Sequence, residues 1–320
     1  SRKSALPVLE ELNALLFYPV QYEGEESSKN VFYTGAAPNQ QAIPATDYYL
    51  DELGVKKFAL LGTDYVYPRT TNKILKQYLI DKGIPESDIF VNYTPFGHSD
   101  WSKIVSDVVS LGADGKKVGV ISTINGDANI GFYKELAAAG VKADDIPVVA
   151  FSVGEEELSG LDTTNLVGHL AAWNYFQSAE SDLNTSFIKS WKSKMGDKRV
   201  TNDPMEAHVI GFKMYVKAVE KAGTTDVDAV RKAMYGMKVP NLTGGTAEML
   251  PNHHLSKPVL IGEILENGQF DIISQTKEVP GDAWTDHLAE SAPLKSDWKT
   301  LGCGMYNSKT KKCVQIKSNY

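Results

Sequence analysis

An α/β fold, with a parallel sheet flanked by helices, is predicted by three observations. Apolar runs at 56–62, 88–94, 116–123 and 146–152 alternate with stretches of helical spacing. The helical stretches between them run to about 10–15 residues, the length of a crossover joining parallel strands. With 320 residues, 42% of them hydrophobic and 23% charged, the chain is long enough for two lobes and a sizeable core.

Taken in order, Leu6, Leu9, Leu12, Leu15 and Leu16 follow helical spacing, and "LLFYPV" then reads as a buried strand. A second short strand, "VFYTG", leads to a helix that Pro38 precedes and Gly54 ends. "KKFALLG" is a strand and "RTTNKILKQYLIDKG" a helix closed by Gly83. "DIFVNYT" and "SDWSKIVSDVVSLG", then "KKVGVIST" and "ANIGFYKELAAAG", repeat the unit, and "IPVVAFS" runs into a short acidic helix at "GEEELSG". Three helical stretches follow, beginning at Ser181, Asp203 and Val227, and "PVLIGEILENGQFDIISQT" reads as a hairpin turning at Asn267 and Gly268. From about Pro280 periodicity is weak. The three late helices need a sheet to cover, and only two strands precede residue 35, so residues upstream of Ser1 are expected to carry the rest of that sheet.

Several function classes are disfavoured. With 33 basic and 40 acidic residues the net charge is −7, and no basic cluster interleaved with aromatics suggests a nucleic-acid surface. No apolar run approaches the roughly 20 residues that span a bilayer, so direct membrane insertion is not expected. The chain begins at Ser1 without an initiator methionine or a signal-peptide pattern, as a processed, trimmed or incomplete end would. Neither "GADGKK" nor "INGDANIG" has a phosphate-cradling glycine pattern, and neither "FGHSD" nor "FSVGE" matches a nucleophile elbow. His253 and His254 are adjacent, a poor arrangement for chelating one metal, and His98 and His169 read as structural. No nucleophile is visibly paired with a base, so no catalysis, cofactor or metal is expected. Cys303 and Cys313 flank nine residues rich in turn formers, a spacing that fits a local disulfide in an oxidising compartment and also fits two free thiols.

In an open parallel sheet ligands sit beyond the carboxyl ends of the strands. That rule selects the loops "PVQYEG", "GTDYVYPRT", "TPFGHSD", "TINGDAN" and "FSVGEEE", of which the first, second and fourth are the most informative. Asp64 and Asp127 each follow a strand; Asp64 reads as a turn or cap residue, and Asp127 as either a cap or a ligand contact.

The segments "LLFYPVQYEGEESSKNVFYTGAAPNQQ" and "LLGTDYVYPRTTNKILKQYL" resemble the urea and short-chain-amide branch of the type I periplasmic binding proteins, the substrate-binding subunits of ABC transporters. The resemblance continues through "STINGDANIGFYKEL" and "HLAAWNYFQSAES" to "CGMYNSKTKKC". It implies two α/β lobes closing on a ligand, with lobe I at residues 1–45 and 172–248, lobe II at 46–171 and 249–280, and a C-terminal segment at 281–320. The family's N-terminal part has no counterpart in this sequence, which agrees with the sheet deficit and leaves lobe I incomplete. The resemblance implies urea or a short-chain amide as ligand, the membrane subunits of an ABC importer as partner, a periplasmic location and no catalysis. A cytosolic amide-sensing regulator of the same fold is the alternative, and an amide or urea hydrolase a more distant one.

Urea is planar and neutral, with one carbonyl acceptor and four N–H donors. Tyrosine supplies a stacking face and a hydroxyl that acts in either sense, which suits an aromatic, glycine-poor rim. By resemblance the pocket positions are Tyr18, Tyr65 and Tyr67, with Val20 and Gln21 at the rim, Gly126 and Asp127 contributing from lobe II, and Trp173 near a crossing segment. A site lacking positive charge would also disfavour amino acids, whose carboxylate needs strong donors.

Overall fold

The computed structural model describes residues 2–160, 162–289 and 291, with the backbone of three further short strands. The chain opens with α1 (Arg2–Glu11), β1 (Leu16–Tyr18), β2 (Val31–Tyr33) and α2 (Ala42–Asp51). The alternating block follows as β3 (Lys57–Thr63), α3 (Val66–Asp81), β4 (Ile89–Thr94), α4 (Ser102–Leu111), β5 (Val118–Thr123), α5 (Ala128–Ala138), β6 (Val148–Ala150), α6 (Glu155–Leu158) and β7 (Leu170–Trp173). Next come α7 (Asp182–Met195), α8 (Asp203–Ala222), α9 (Val227–Met234), β8 (Lys238–Pro240), β9 (Thr246–Met249), β10 (Leu255–Lys257), β11 (Leu260–Ile264), β12 (Phe270–Gln275) and β13 (Val279–Pro280). The strands β14 (Leu294–Lys295), β15 (Met305–Asn307) and β16 (Lys312–Val314) form a small antiparallel sheet. Cys303 lies outside the described residues, as does the side chain of Cys313.

The alternating block forms a seven-stranded sheet in the order β12-β11-β7-β6-β5-β3-β4. Its strands from β4 to β7 are parallel, and the β11–β12 hairpin adds antiparallel to β7. Successive side chains of a strand point to opposite faces, and β3 uses both. Phe58 and Leu60 pack with Tyr49, Leu75 and Leu79 of α2 and α3. Ala59 and Leu61 pack with Val105, Val108, Phe132 and Leu136 of α4 and α5.

The other lobe is less regular. β1 and β2 form a parallel pair, β13-β10-β9-β8 form a four-stranded antiparallel sheet, and a bridge from Tyr33 to His254 joins the two. Phe32, Ile210, Met214, Val239, Met249 and Leu255 make its core beneath α8 and α9. The start of α8 is set by Asn202, whose side chain accepts the Met205 N–H at 3.2 Å, and its end by Gly223 in the left-handed region.

The lobe limits differ from those expected. Residues 246–257 form β9 and β10 of the smaller lobe, and only β11 and β12 of the segment 249–280 join the large sheet. Residues 172 and 173 belong to β7 of the large sheet, and α2 packs on it from Ala42. Strands β8 to β10 are three or four residues long, too short for alternation to register.

The chain therefore crosses between lobes four times, after β2, after β7, between β10 and β11 and between β12 and β13. Asn174, fully buried, ties the first three together. Its Nδ2 donates to Gln40 O at 3.0 Å and Pro258 O at 2.8 Å, and its N–H donates to Asp203 Oδ2 at 2.9 Å. Beside it Lys257 Nζ meets Glu206 Oε2 at 2.6 Å, with 1% and 0% of the side chains exposed. Burial opposes the Lys257 charge, and the Glu206 and Asp203 carboxylates more than offset it. Removing one partner of such a pair leaves a buried charge uncompensated. Lys257→Met is expected to destabilise the protein by about 3–5 kcal/mol in guanidinium unfolding; a loss below about 1 kcal/mol would show that the junction does not depend on this ion pair.

Candidate functional site

The carboxyl ends of β3, β5 and β6 face the loop after β1 across the gap between the lobes, and two adjoining cavities lie there. They share Val20, Gln21 and Asn125 as a common wall.

The first cavity, of about 160 Å³, collects Tyr18, Val20, Gln21, Tyr65 and Tyr67, five of the residues expected from the sequence. The helix α3 begins at Val66, earlier than its charged stretch suggests, so Tyr65 occupies the N-cap position and Tyr67 the first turn. The close approach of that turn to the sheet requires Gly62. A Cβ there would lie 2.6 Å from Pro68 Cβ and 2.5 Å from Thr123 Oγ1. The Tyr65 and Tyr67 rings are 6.2 Å apart, and Tyr65 leans on the exposed Phe96 at 5.1 Å. Burial, with the Tyr18 hydroxyl and Glu23 nearby, pushes the Tyr65 phenol up to about 12. Burial likewise raises Tyr67, so both rings present neutral hydroxyls. The Tyr67 hydroxyl lies near Ser152 and Gln21 without completing a hydrogen bond within the protein.

Gln21 spans the gap. Its Nε2 donates to Phe151 O at 2.9 Å and to Ser152 Oγ at 3.3 Å, while its buried Oε1 has no partner.

Arg2, Lys3, Glu23 and Val66 complete this cavity and were not anticipated. The expectation of a site without positive charge is corrected by Arg2 and Lys3, which α1 delivers to the wall. Arg2 Nη2 binds Glu23 at 2.8 Å and its Nε binds Glu26 at 2.6 Å, and Lys3 reaches the same two carboxylates at 3.7 and 3.3 Å. Burial works against the Arg2 charge, and Glu23 and Glu26 more than offset it. The guanidinium lies 4.7 Å from the ring centres of both Tyr18 and Tyr22. Two bases against two acids leave this wall electrically balanced.

The second cavity, of about 210 Å³, holds Gly126 and Trp173 as expected, with Ser152, Gly154, Glu155, Glu157, Asn202, Asp203 and Pro204. Trp173 is 5% exposed and anchored by its indole N–H to Val153 O at 2.8 Å. Asp127 lines neither cavity: it is exposed, and although it precedes α5 its side chain makes no cap bond. The carboxylates that line the cavity are instead Glu155, Glu157 and Asp203. Asp64 is no cap either; it pairs with Arg69 at 2.5 Å on the surface. "FSVGEEE" was legible as a strand-end loop, whereas nothing local in "TNDPMEA" marks Asp203.

Of the two histidines read as structural, His169 is hydrogen-bonded, whereas His98 packs its ring on Trp101 at 4.9 Å and leaves its buried Nε2 without a partner; the adjacent His253 and His254 are also bonded. His169 Nδ1 accepts the Val148 N–H at 3.1 Å, His254 Nε2 lies 2.6 Å from the Tyr22 hydroxyl, and His253 Nε2 lies 2.8 Å from that of Tyr235. Burial lowers all three to about 4. Among the described residues no group of His, Cys, Asp and Glu could hold a metal ion, and no helix is long and apolar enough to cross a membrane. A wider groove of about 430 Å³, lined by Phe17, Phe212 and Tyr215, lies on the smaller lobe, away from these strand ends.

Two α/β lobes joined by four crossings, with a ligand-sized gap at the strand ends, define a hinged binding protein. The chain belongs to the periplasmic binding protein domain family, whose model matches residues 1–290. Among curated proteins it is similar to the Leu/Ile/Val-binding protein homolog 3 of Brucella melitensis, 25% identical over 232 residues, covering 72% of this chain and 60% of that one. It is also similar over 134 residues, at 30% identity, to a protein named limonene hydroxylase from Geobacillus stearothermophilus, covering 41% of this chain and 24% of that one. The chain thus spans less than two thirds of both relatives. An amino acid ABC transporter substrate-binding protein from Pseudomonas fluorescens Pf-5 superposes with a TM-score of 0.71 at 18% identity, covering 87% of this chain and 76% of that one. A solute-binding protein from Rhodopseudomonas palustris HaA2, solved with p-hydroxybenzoic acid, gives 0.72 at 19%, covering 87% and 75%.

Burial pushes the Glu155 carboxyl up to about 8, opposed by the Gln177 N–H that donates to it, and with Asp203 and Glu157 adding to the rise. In the unfolded chain it titrates near about 4.3. The folded protein therefore holds a proton that the unfolded chain releases, a contribution present below about pH 4.3 and lost as pH rises through about 8. The lowered histidines act with the opposite sign and only below about pH 6.5, and Asp203, raised by burial to about 6, also titrates below that point. Thermal stability is expected to fall between about pH 6.5 and 8.5, and Glu155→Gln to flatten the decline. An unchanged slope in the variant would assign it to another group.

Proposed function

We propose that this chain captures urea or a short-chain amide between its lobes and delivers it to the membrane subunits of an ABC importer, outside the cytoplasm and without catalysis. The observation that carries this is the pairing of an unsatisfied Gln21 Oε1 and an unbonded Tyr67 hydroxyl in a cavity of about 160 Å³ whose charges cancel. That volume lies below the roughly 300–1,000 Å³ of sites for drug-sized ligands. Tyr18, Tyr65 and Tyr67 offer ring faces to a planar molecule, the Tyr67 hydroxyl offers a donor to a carbonyl, and Gln21 Oε1 accepts an N–H.

Relatives named for branched-chain amino acids, and one solved with p-hydroxybenzoic acid, point to carboxylate ligands. A carboxylate needs a cation with donors to spare, whereas Arg2 is committed to Glu23 and Glu26 and Lys3 faces the same two acids at 3.7 and 3.3 Å. A neutral amide makes no such demand.

Calorimetry with urea, acetamide, leucine and p-hydroxybenzoate separates these ligands. Urea or acetamide is expected to bind and the two carboxylates not to; binding of leucine or p-hydroxybenzoate alone, or release of ammonia from urea, would overturn the proposal. Tyr67→Phe keeps the ring and deletes the hydroxyl, and is expected to weaken amide binding about tenfold, or about 1.4 kcal/mol. An unchanged affinity would remove that hydroxyl from the site.

A further inference from the structure

We infer that the second cavity, between Gln21, Glu155, Glu157 and Asp203, receives the ligand's N–H groups, which narrows the ligand to one with unsubstituted amino groups on a planar centre. This inference rests on the ligand-binding role proposed above.

The cavity is rich in acceptors. Asp203 is 1% exposed, and while its Oδ2 accepts the Asn174 N–H at 2.9 Å, its Oδ1 is buried with no partner. Gln21 Oε1 is buried without a partner as well. Of the other two carboxyl groups, Glu155 keeps its proton below about pH 8 and takes the Gln177 N–H at 2.5 Å, and Glu157 takes the Gly154 N–H at 2.9 Å. No lysine, arginine or histidine stands among its lining residues, and Lys257 is spent on Glu206 behind Asp203.

A buried acceptor without a donor has lost its water and gained nothing in return. An entering N–H removes that cost at Asp203 Oδ1 and Gln21 Oε1 together, whereas an entering carboxylate meets further negative charge with no cation to offset it. Selection for amino groups and against carboxylates follows from one set of residues. Ligands whose nitrogens are fully alkylated bring no donor and leave both acceptors unpaired.

Titration calorimetry tests this with urea, tetramethylurea, guanidinium chloride at low concentration and acetate, on the wild-type chain and on Asp203→Asn and Gln21→Met. Circular dichroism and thermal melting report whether each variant folds, and Gln21→Met leaves the Asp203, Glu206 and Lys257 cluster untouched. Urea and guanidinium are expected to bind wild type, tetramethylurea and acetate not to, and each variant to weaken both binders at least tenfold. If urea binds and neither folded variant weakens it, or if tetramethylurea binds as tightly as urea, the inference is overturned while the amide proposal stands. Guanidinium binding that the variants weaken, with no amide bound, supports the inference and overturns the amide proposal. Binding of neither urea nor guanidinium overturns both.

Discussion

The side chain of Asn174 is the point on which the two lobes turn. A primary amide has two donor hydrogens, and both are used here, one on Gln40 O from the first crossing and one on Pro258 O from the third. Asn174 itself sits in the second crossing, just past the end of β7. Three segments far apart in sequence are thereby held at one spot by one side chain, among the buried Trp173, Tyr175 and Leu260. That arrangement fixes where the lobes meet while leaving their relative angle to soft backbone torsions, as hinge closure requires.

The hinge and the site share residues. Asp203 accepts from Asn174 through one oxygen, has no partner at the other, and lines the second cavity. It also begins α8, where the helix dipole favours a carboxylate, and lies close enough to Lys257 and Glu206 for their charges to act on it. One carboxylate therefore joins the crossing junction, a helix of the smaller lobe and the ligand gap. Such a buried ionic cluster is expensive to assemble in low dielectric, and its use is better sought in specifying geometry than in net stability.

How far the sequence reveals this depends on the range of the interaction concerned. The βα alternation, the hairpin at Asn267 and Gly268 and the tyrosines of "DYVYPR" are local signals, and strand-end geometry places Tyr65 and Tyr67 at the gap. Arg2 and Asp203 escaped notice because nothing in their own neighbourhood marks them. Each is brought to the site by a helix that starts beside it in space and far from it in sequence. Asp127 misled for the complementary reason: a carboxylate after a strand and before a helix is a strong local pattern, yet the turn through Gly126, with φ of 67°, leaves it facing solvent. The short strands β8 to β10 carry too few residues for period-two alternation to stand out.

The wall between the two cavities explains how binding could act on the hinge. Phe151 O, at the end of β6, accepts from Gln21 of the smaller lobe at 2.9 Å and from Gln41 at the first crossing at 3.3 Å. A carbonyl oxygen has two lone pairs, so both bonds are accommodated and the Gln21 amide is held by its nitrogen across the gap. Its oxygen is then left facing the cavities with nothing to accept from. Opening the lobes would break the Gln21 bond and return that oxygen to water, whereas a ligand N–H satisfies it only while the lobes are together. A ligand that binds one arrangement better than the other shifts the equilibrium by that difference. On the proposed reading, Gln21 would couple the ligand's N–H groups to lobe closure, because its nitrogen already spans the gap and its oxygen has no partner.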